Sequence, residues 1–400
     1  MTELISVAEA QARIAAHMPS FGSETVPLAE AAGRILRQPL HAEHDHPPFD
    51  RVMMDGIAVR WQAPLPRAFA LAGTQLAGMA VQSLQPGDVC LEVTTGAMVP
   101  LGCDCVIPVE QTRRDGNRYL LADDYQPLQG QFIHARGSDC VAGALLLESG
   151  TRIGAPEMAL LAANGVARVT VGAMPSIAIV STGDELVAVD APLGEGQIRR
   201  SNDVAMAAAL RLHGFDRVVL KHVADDAAMT RDMLADLLES HDVLILSGGV
   251  SMGQRDYVPA ALDALGVQRV FHRIAQKPGK PMWFGVGARR QAVFALPGNP
   301  VSALVCAVRY VRPALLASMG KAVEPGEVVC LDAPADTHPT LTCFVPVHVQ
   351  TDPSGRLLAH PVPSRTSGDF SSLPCTHGVV ELSPDASQAH AGTVASLYRW

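Results

Sequence analysis

Aromatic residues make up only 4% of this 400-residue chain, so its cores have to be filled by aliphatic side chains rather than by stacked rings. Charge is also sparse, at 18% of residues. The 31 Lys and Arg against 40 Asp and Glu leave a net charge of −9, and the cations are scattered. There is no basic cluster of the kind that grips a nucleic-acid backbone or an acidic membrane surface, and neither is expected as a partner. The eight cysteines form no Cys-x-x-Cys pair and no zinc spacing, which points to reduced core thiols. Glu3, Glu9, Arg13 and His17 interrupt the N-terminal residues, and no uninterrupted apolar run reaches membrane-spanning length. A cytoplasmic location is the expectation. An acidic chain that binds an anion must use local backbone amides and a few placed cations, and those are the features to seek.

The length and the 48% hydrophobic content allow several cores, hence more than one domain. Ser6 followed by Glu9 is a capping box, and Val7, Ala10, Ile14 and Met18 recur at helical spacing, which predicts an opening amphipathic helix. A second helix is expected over 28–36. Residues 1–46 with 140–174 read as a helical and linker domain. Over 47–139 the texture changes to short β-branched runs (89–95, 105–109) between Gly, Pro and Asp turns, a small β-rich domain. Within 175–319 the apolar runs 177–180, 218–223, 243–246 and 293–296 alternate with helical segments, which predicts a parallel sheet with helices on its faces. The tail, 320–400, reads as a separate β domain. The fold class is therefore a multidomain α/β protein: one parallel α/β domain plus β-rich domains.

The sharpest chemical signal is Ser247-Gly248-Gly249-Val250-Ser251-Met252-Gly253, with Asp256-Tyr257 close behind, after the strand expected at 242–246. Glycines at the carboxyl end of a parallel strand let N–H groups approach a phosphate, and ligands bind at that edge. The string is neither GxGxxG nor a Walker A loop; a plain Gly-Gly connection and an Asp256 helix cap are the competing readings. Lys277-Pro278-Gly279-Lys280-Pro281 presents two ammonium groups from one stiffened turn, suited to an oxyanion, and a solvated turn reads the same way. Leu296-Pro297-Gly298-Asn299-Pro300-Val301-Ser302 ends a strand and opens a helix, whose free amides suit an anion; an ordinary Pro-Gly turn accounts for it equally well. Ser181-Thr182-Gly183-Asp184-Glu185 brings hydroxyls and two carboxylates to the same edge, where they suit a hard cation bridging phosphate oxygens. Asp50, Asp55 and Asp139 sit in Gly-containing turns and individually read as turn aspartates. His44-Asp45-His46 lacks a third metal ligand and reads as a polar loop. No nucleophile elbow or Ser/His/Asp order stands out, which argues against acyl transfer.

Taken in order, Pro47-Pro48-Phe49-Asp50 with Met54-Asp55-Gly56, Thr95-Gly96-Ala97 with Pro100, Arg136-Gly137-Ser138-Asp139, Ser181-Thr182-Gly183-Asp184-Glu185-Leu186, Gly194-Glu195-Gly196-Gln197-Ile198 with Ser201-Asn202, and the Gly-Gly, KPGKP and LPGNPVS strings resemble the molybdopterin molybdenumtransferase family, known as MoeA in bacteria and as the E domain of gephyrin-type proteins. The likeness runs from the first helix to about residue 320. It implies a homodimer of four domains per chain, with the Gly-Gly loop in a domain of the molybdopterin-adenylyltransferase fold. It also implies a reaction of adenylylated molybdopterin with molybdate, helped by Mg2+ and releasing AMP, and a contact with the molybdopterin adenylyltransferase. Carried over by position, it implies catalytic roles for Asp55, Thr95, Asp139, Glu185 and Asp256. Magnesium ligation falls to Asp55, Glu185, Asp225 or Asp226, and Asp256. Substrate contacts fall to Ser181, Thr182, Gly248, Gly249, Ser251, Lys277, Lys280, Pro297, Asn299 and Ser302. The chain departs from the family pattern at Val52-Met53, Ile57, His134 and Arg199-Arg200. Two other readings stay open: a noncatalytic pterin-binding or scaffold protein, and an enzyme for a related oxyanion such as tungstate. The retained carboxylates argue against the first, because binding an anion gains nothing from added negative charge.

Overall fold

In the computed structural model of the chain, the described residues are 4–85, 89–250, 256–322, 326–362, 366, 368–385 and 388–400. They divide into two compact units, one of Met1–Gln38, Ser149–Ala155 and Arg168–Trp400, the other of Pro39–Glu148 and Pro156–Ala167.

The first unit is built on a six-stranded sheet. Its layer carries, in chain order, β1 (Ile177–Thr182), α1 (Asn202–Arg211), β2 (Val218–Val223), α2 (Ala227–Ser240), β3 (Val243–Ser247), α3 (Tyr257–Ala264), β4 (Gln268–His272), β5 (Trp283–Val286), β6 (Ala292–Leu296) and α4 (Pro300–Cys306). The strands lie side by side as β2-β1-β3-β6-β5-β4. β2, β1, β3 and β6 are parallel, as the four apolar runs predict. β5 and β4 extend the sheet antiparallel, which the sequence does not announce.

Strands buried on both faces read as continuous apolar runs. In β1, Ile177 and Ile179 face a core shared with Met206, Leu210 and Val301, while Ala178 and Val180 face a second core with Leu234, Leu237, Val258 and Leu262. Alternate residues of one strand thus bind helices on opposite sides of the sheet.

The N-terminal helix Val7–His17 starts where expected: the Ser6 hydroxyl accepts the Glu9 N–H at 3.1 Å, and Val7, Ala10 and Ile14 enter the same core as Ile177. The expected helix over 28–36 is instead a single 3-10 turn, Leu28–Glu30. Gly33 turns the chain at φ +79, and Ile35 and Leu36 form bridges to Arg152 and Val171. Strand pairing buries those two side chains, and local helix propensity gives way to it.

The apolar run Pro300–Ser318 is long enough to cross a membrane by length and composition, but most of it is buried inside the protein. C-terminal to it, Thr342–Thr351 pairs with both Leu357–Pro361 and Gly378–Leu382. Glu327–Leu331 and Val394–Arg399 complete the ring, so five strands close on themselves. A sixth, Gln276–Lys277, adds to Thr342–Cys343 in parallel from the α/β layer.

The second unit holds a six-stranded sheet in the order Cys105–Pro108, Gly56–Val59, Cys90–Val93, Ala68–Gln75, Arg118–Leu121, Thr112–Asp115. Ile57, Val59, Phe69 and Ile107 fill one side; Val52, Ala58, Val93 and Val106 fill the other.

Candidate functional site

Because β1, β2, β3 and β6 are parallel, their carboxyl ends share one edge of the sheet. The KPGKP turn reaches the same edge, since it joins the end of β4 to the start of β5, where His272 pairs with Trp283 and Trp283 with Ala295. Five turns therefore border one rim, the position at which ligands bind in open α/β sheets.

Gly248 and Gly249 adopt φ +96 and +65, a region that L side chains avoid. A Cβ on Gly248 would lie 2.8 Å from both the carbonyl oxygen and Oγ1 of Thr182, and one on Gly249 would lie 3.0 Å from Oγ1. The Gly-Gly turn thus lies directly over Thr182. Thr182 is 8% exposed, and its Oγ1 is buried without a hydrogen-bond partner among the described residues. Leaving such a group unsatisfied costs about 1–3 kcal/mol, so a buried orphan at the end of a strand calls for a bound water, ion or ligand group as its partner. Gly298 approaches from the neighbouring strand end, its missing Cβ 3.5 Å from the Gly248 Cα. Asn202 ties the turns together, donating to Ser247 Oγ at 2.9 Å and to the Gly298 carbonyl at 2.7 Å. Ser181 is buried. Ser251 lies outside the described residues.

The carboxylates of the rim divide by task. Asp184 accepts the Asp225 N–H at 3.0 Å. Asp226 caps α2, accepting the Met229 N–H at 2.7 Å. Glu185 is exposed and folds back over Gly183, whose φ is +143. Asp256 occupies the N-cap position of α3. Among the described residues, no three His, Cys, Asp or Glu side chains gather as a metal site. Magnesium needs no such cage: it keeps several waters and takes one or two carboxylates with substrate phosphate oxygens. The exposed Asp184 and Glu185 fit that role.

Lys277 and Lys280 are exposed, and the turn between them rests on a buried polar knot. Gln276 is 1% exposed; its amide donates to the Pro278 carbonyl at 3.1 Å and accepts from the Tyr310 hydroxyl. Gly279 sits over the Gln276 amide and the Cys306 sulfur at φ +97. Burial pushes the Cys306 thiol up to about 12 and raises Tyr310 as well, so both stay neutral and the lysines alone carry the turn's charge. In the adjacent LPGNPVS turn, Pro297 is buried, Asn299 takes the exposed N-cap position of α4, and Ser302 is buried at 3% exposure.

In the second unit, Asp55 Oδ1 accepts both the Thr95 N–H (2.6 Å) and the Thr95 hydroxyl (2.8 Å). These bonds, the N–H first and then the hydroxyl, hold the carboxyl below the usual range. Asp139 accepts from His134 Nε2 at 2.7 Å, while Arg51 reaches His134 Nδ1 at 3.0 Å. An arginine only donates, so Nδ1 accepts and the ring proton sits on Nε2, aimed at Asp139. Val52 holds the two groups on one scaffold: it pairs with Ile133, and its carbonyl accepts the Gly96 N–H. Asp50 accepts the Arg136 N–H, and Asp45 accepts from Arg136 Nε and the Ala142 N–H; both lock turns.

Sequence reasoning passed over Asn202, Arg51 and His134. Asn202 stands in a quoted string, and His134 at a departure from the family pattern, but neither position shows its partner until the chain folds.

A glycine-floored, lysine-flanked rim on this strand order defines the class: an open α/β protein whose turns gather at the carboxyl edge of its sheet, the edge at which such folds take ligands. A family model described as a probable molybdopterin binding domain matches residues 178–317. Models for the MoeA N-terminal region (domains I and II) and the MoeA C-terminal region (domain IV) match residues 5–165 and 328–400. A molybdopterin molybdenumtransferase of Synechocystis sp. is 38% identical over 99% of this chain and 100% of its own length. One from Haemophilus influenzae is 34% identical over 80% of this chain and 78% of its own. A crystal structure of the molybdopterin biosynthesis protein MoeA from Pyrococcus horikoshii superposes with a TM-score of 0.81 at 28% identity, covering 99% of each chain. The chain belongs to the molybdopterin molybdenumtransferase family.

Proposed function

We propose that this chain is the enzyme that transfers molybdenum, supplied as molybdate, to adenylylated molybdopterin with release of AMP, acting in the cytoplasm as a homodimer that receives its substrate from the molybdopterin adenylyltransferase. The observation that carries the reading is the orphaned Thr182 hydroxyl beneath the Gly248–Gly249 turn. A turn that admits no Cβ and covers an unsatisfied hydroxyl is suited to phosphate oxygens.

In this reading Ser181, Thr182, Gly248, Gly249 and Ser251 hold the phosphates, with the α4 N-terminus at Pro297 and Asn299 as a further donor. Lys277, Lys280 and Ser302 hold the oxyanion. Asp55, Thr95, Asp139, Glu185 and Asp256 are the catalytic set, with Asp225 or Asp226 as a further metal position. A magnesium ion held by Asp184 or Glu185 would neutralise charge on phosphate oxygens. The chain's own part is positional: Thr95 fixes the orientation of the Asp55 carboxylate, and the Arg51–His134 relay fixes Asp139.

The test is incubation of the purified protein with adenylylated molybdopterin, magnesium and either molybdate or tungstate. AMP release and active cofactor with molybdate are expected. Binding without AMP release would leave the scaffold reading in its place. Sedimentation equilibrium at micromolar concentration checks the dimer, and a fully active monomer would exclude it.

A further inference from the structure

A cavity of about 300 Å3 lies beside the rim, at the small end of the range of about 300–1,000 Å3 typical of small-molecule sites. None of the roles above uses it. Its walls are mainly apolar: Met206 of α1, Leu304 of α4, and Phe370, Leu373 and Trp400 from the C-terminal part of the chain. Ser201 and Asn202 form its polar corner. Asn202 also binds Ser247 and Gly298, so the cavity begins where the phosphate turns end.

The Trp400 wall is anchored by the protein itself. Trp400 donates from Nε1 to Thr376 Oγ1 at 2.8 Å and from its backbone N–H to the His377 carbonyl at 3.3 Å. Phe370 is 51% exposed, although only 4% of the chain is aromatic. A scarce ring left in solvent at the mouth of a cavity is available to stack on a flat partner.

We propose that this cavity seats the flat, fused heteroaromatic ring of the phosphorylated substrate, with Phe370 and Trp400 as its apolar walls and Asn202 joining ring site to phosphate site. The inference rests on the phosphate reading of the Gly248–Gly249 turn. Adenylylated molybdopterin carries two such rings, a pterin and an adenine, and the experiment identifies which one enters.

Calorimetry on the full chain compares wild type, Phe370→Ala and Ala205→Trp, the last filling the cavity from α1. The probes are pyrophosphate, AMP and 6-hydroxymethylpterin diphosphate. Both variants are expected to bind pyrophosphate as wild type does and to lose about tenfold or more in affinity for one ring-bearing probe. A loss confined to AMP assigns the cavity to adenine, and a loss confined to the pterin assigns it to the pterin. Unchanged affinity for both ring-bearing probes, with pyrophosphate still bound, overturns the cavity inference alone. No pyrophosphate binding by the wild type overturns the phosphate reading and this inference with it. If Phe370→Ala lowers the melting temperature, Ala205→Trp decides.

Discussion

Asp55 Oδ1 accepts two hydrogen bonds from a single residue, the N–H and the hydroxyl of Thr95. One carboxylate oxygen is thereby occupied and fixed in direction, and Oδ2 is left to act elsewhere. Replacing Asp55 by Asn keeps the size and removes the charge. Single-turnover AMP release is expected to fall by about a hundredfold or more in a variant that still folds cooperatively. A normal rate in well-folded protein would take Asp55 out of the catalytic set.

The same pair sets an acid limb. Thr95 bonding holds the folded-state Asp55 carboxyl below the usual carboxylate range, so its contribution to stability is present above the unfolded-state value and is lost as pH falls through the folded-state one. Wild type and Asp55→Asn should differ in stability at pH 5–7 and converge as pH falls through the lowered folded-state value. Melting curves across pH that stay parallel down to acid would contradict the assignment.

Thr182→Val separates ligand binding from folding by sign. Removing a buried, unsatisfied hydroxyl relieves a cost of about 1–3 kcal/mol, so the variant should melt at or above the wild-type temperature. Pyrophosphate affinity should nevertheless drop, as calorimetry would show. A variant that is less stable and binds normally would make the hydroxyl structural.

Gly248→Ala places a Cβ 2.8 Å from the Thr182 carbonyl at φ +96. The cost is expected at about 1–3 kcal/mol, seen as a lower denaturant midpoint, together with loss of pyrophosphate binding. Gly266→Ala, also at positive φ but with open space around its Cβ, should show the strain without the binding defect.

Lys277 and Lys280 are exposed, so their double Ala variant should keep its stability and lose molybdate affinity. Tyr310→Phe should do the reverse to stability: it leaves the buried Gln276 carbonyl oxygen without the hydroxyl it accepts from, at about 1–3 kcal/mol. Chemical denaturation and equilibrium dialysis on the two variants read these effects separately.

Three of the four parallel strands are legible because each is buried on both faces and so spells an unbroken apolar run, as Ile177-Ala178-Ile179-Val180 does; β2, at one edge of the sheet, keeps Val218 and Val223 buried while Lys221 and His222 break its run. β4 is not legible, since its edge position lets Gln268 and Arg269 interrupt the run. The 28–36 segment misleads because pairing with residues far along the chain, Arg152 and Val171, overrides its local preference. In the site, the turns announce themselves through glycine and proline. Their partners do not: Asn202 meets Ser247 across 45 residues, and Arg51 meets His134 across 83, separations that carry no local pattern.

The lysine turn is also moored outside its own layer. Gln276 and Lys277 form a strand with Thr342 and Cys343, and the Thr342 N–H donates to the Ala275 carbonyl at 3.0 Å. Amide hydrogen exchange along this short strand should therefore follow the opening of the C-terminal barrel rather than that of the α/β sheet.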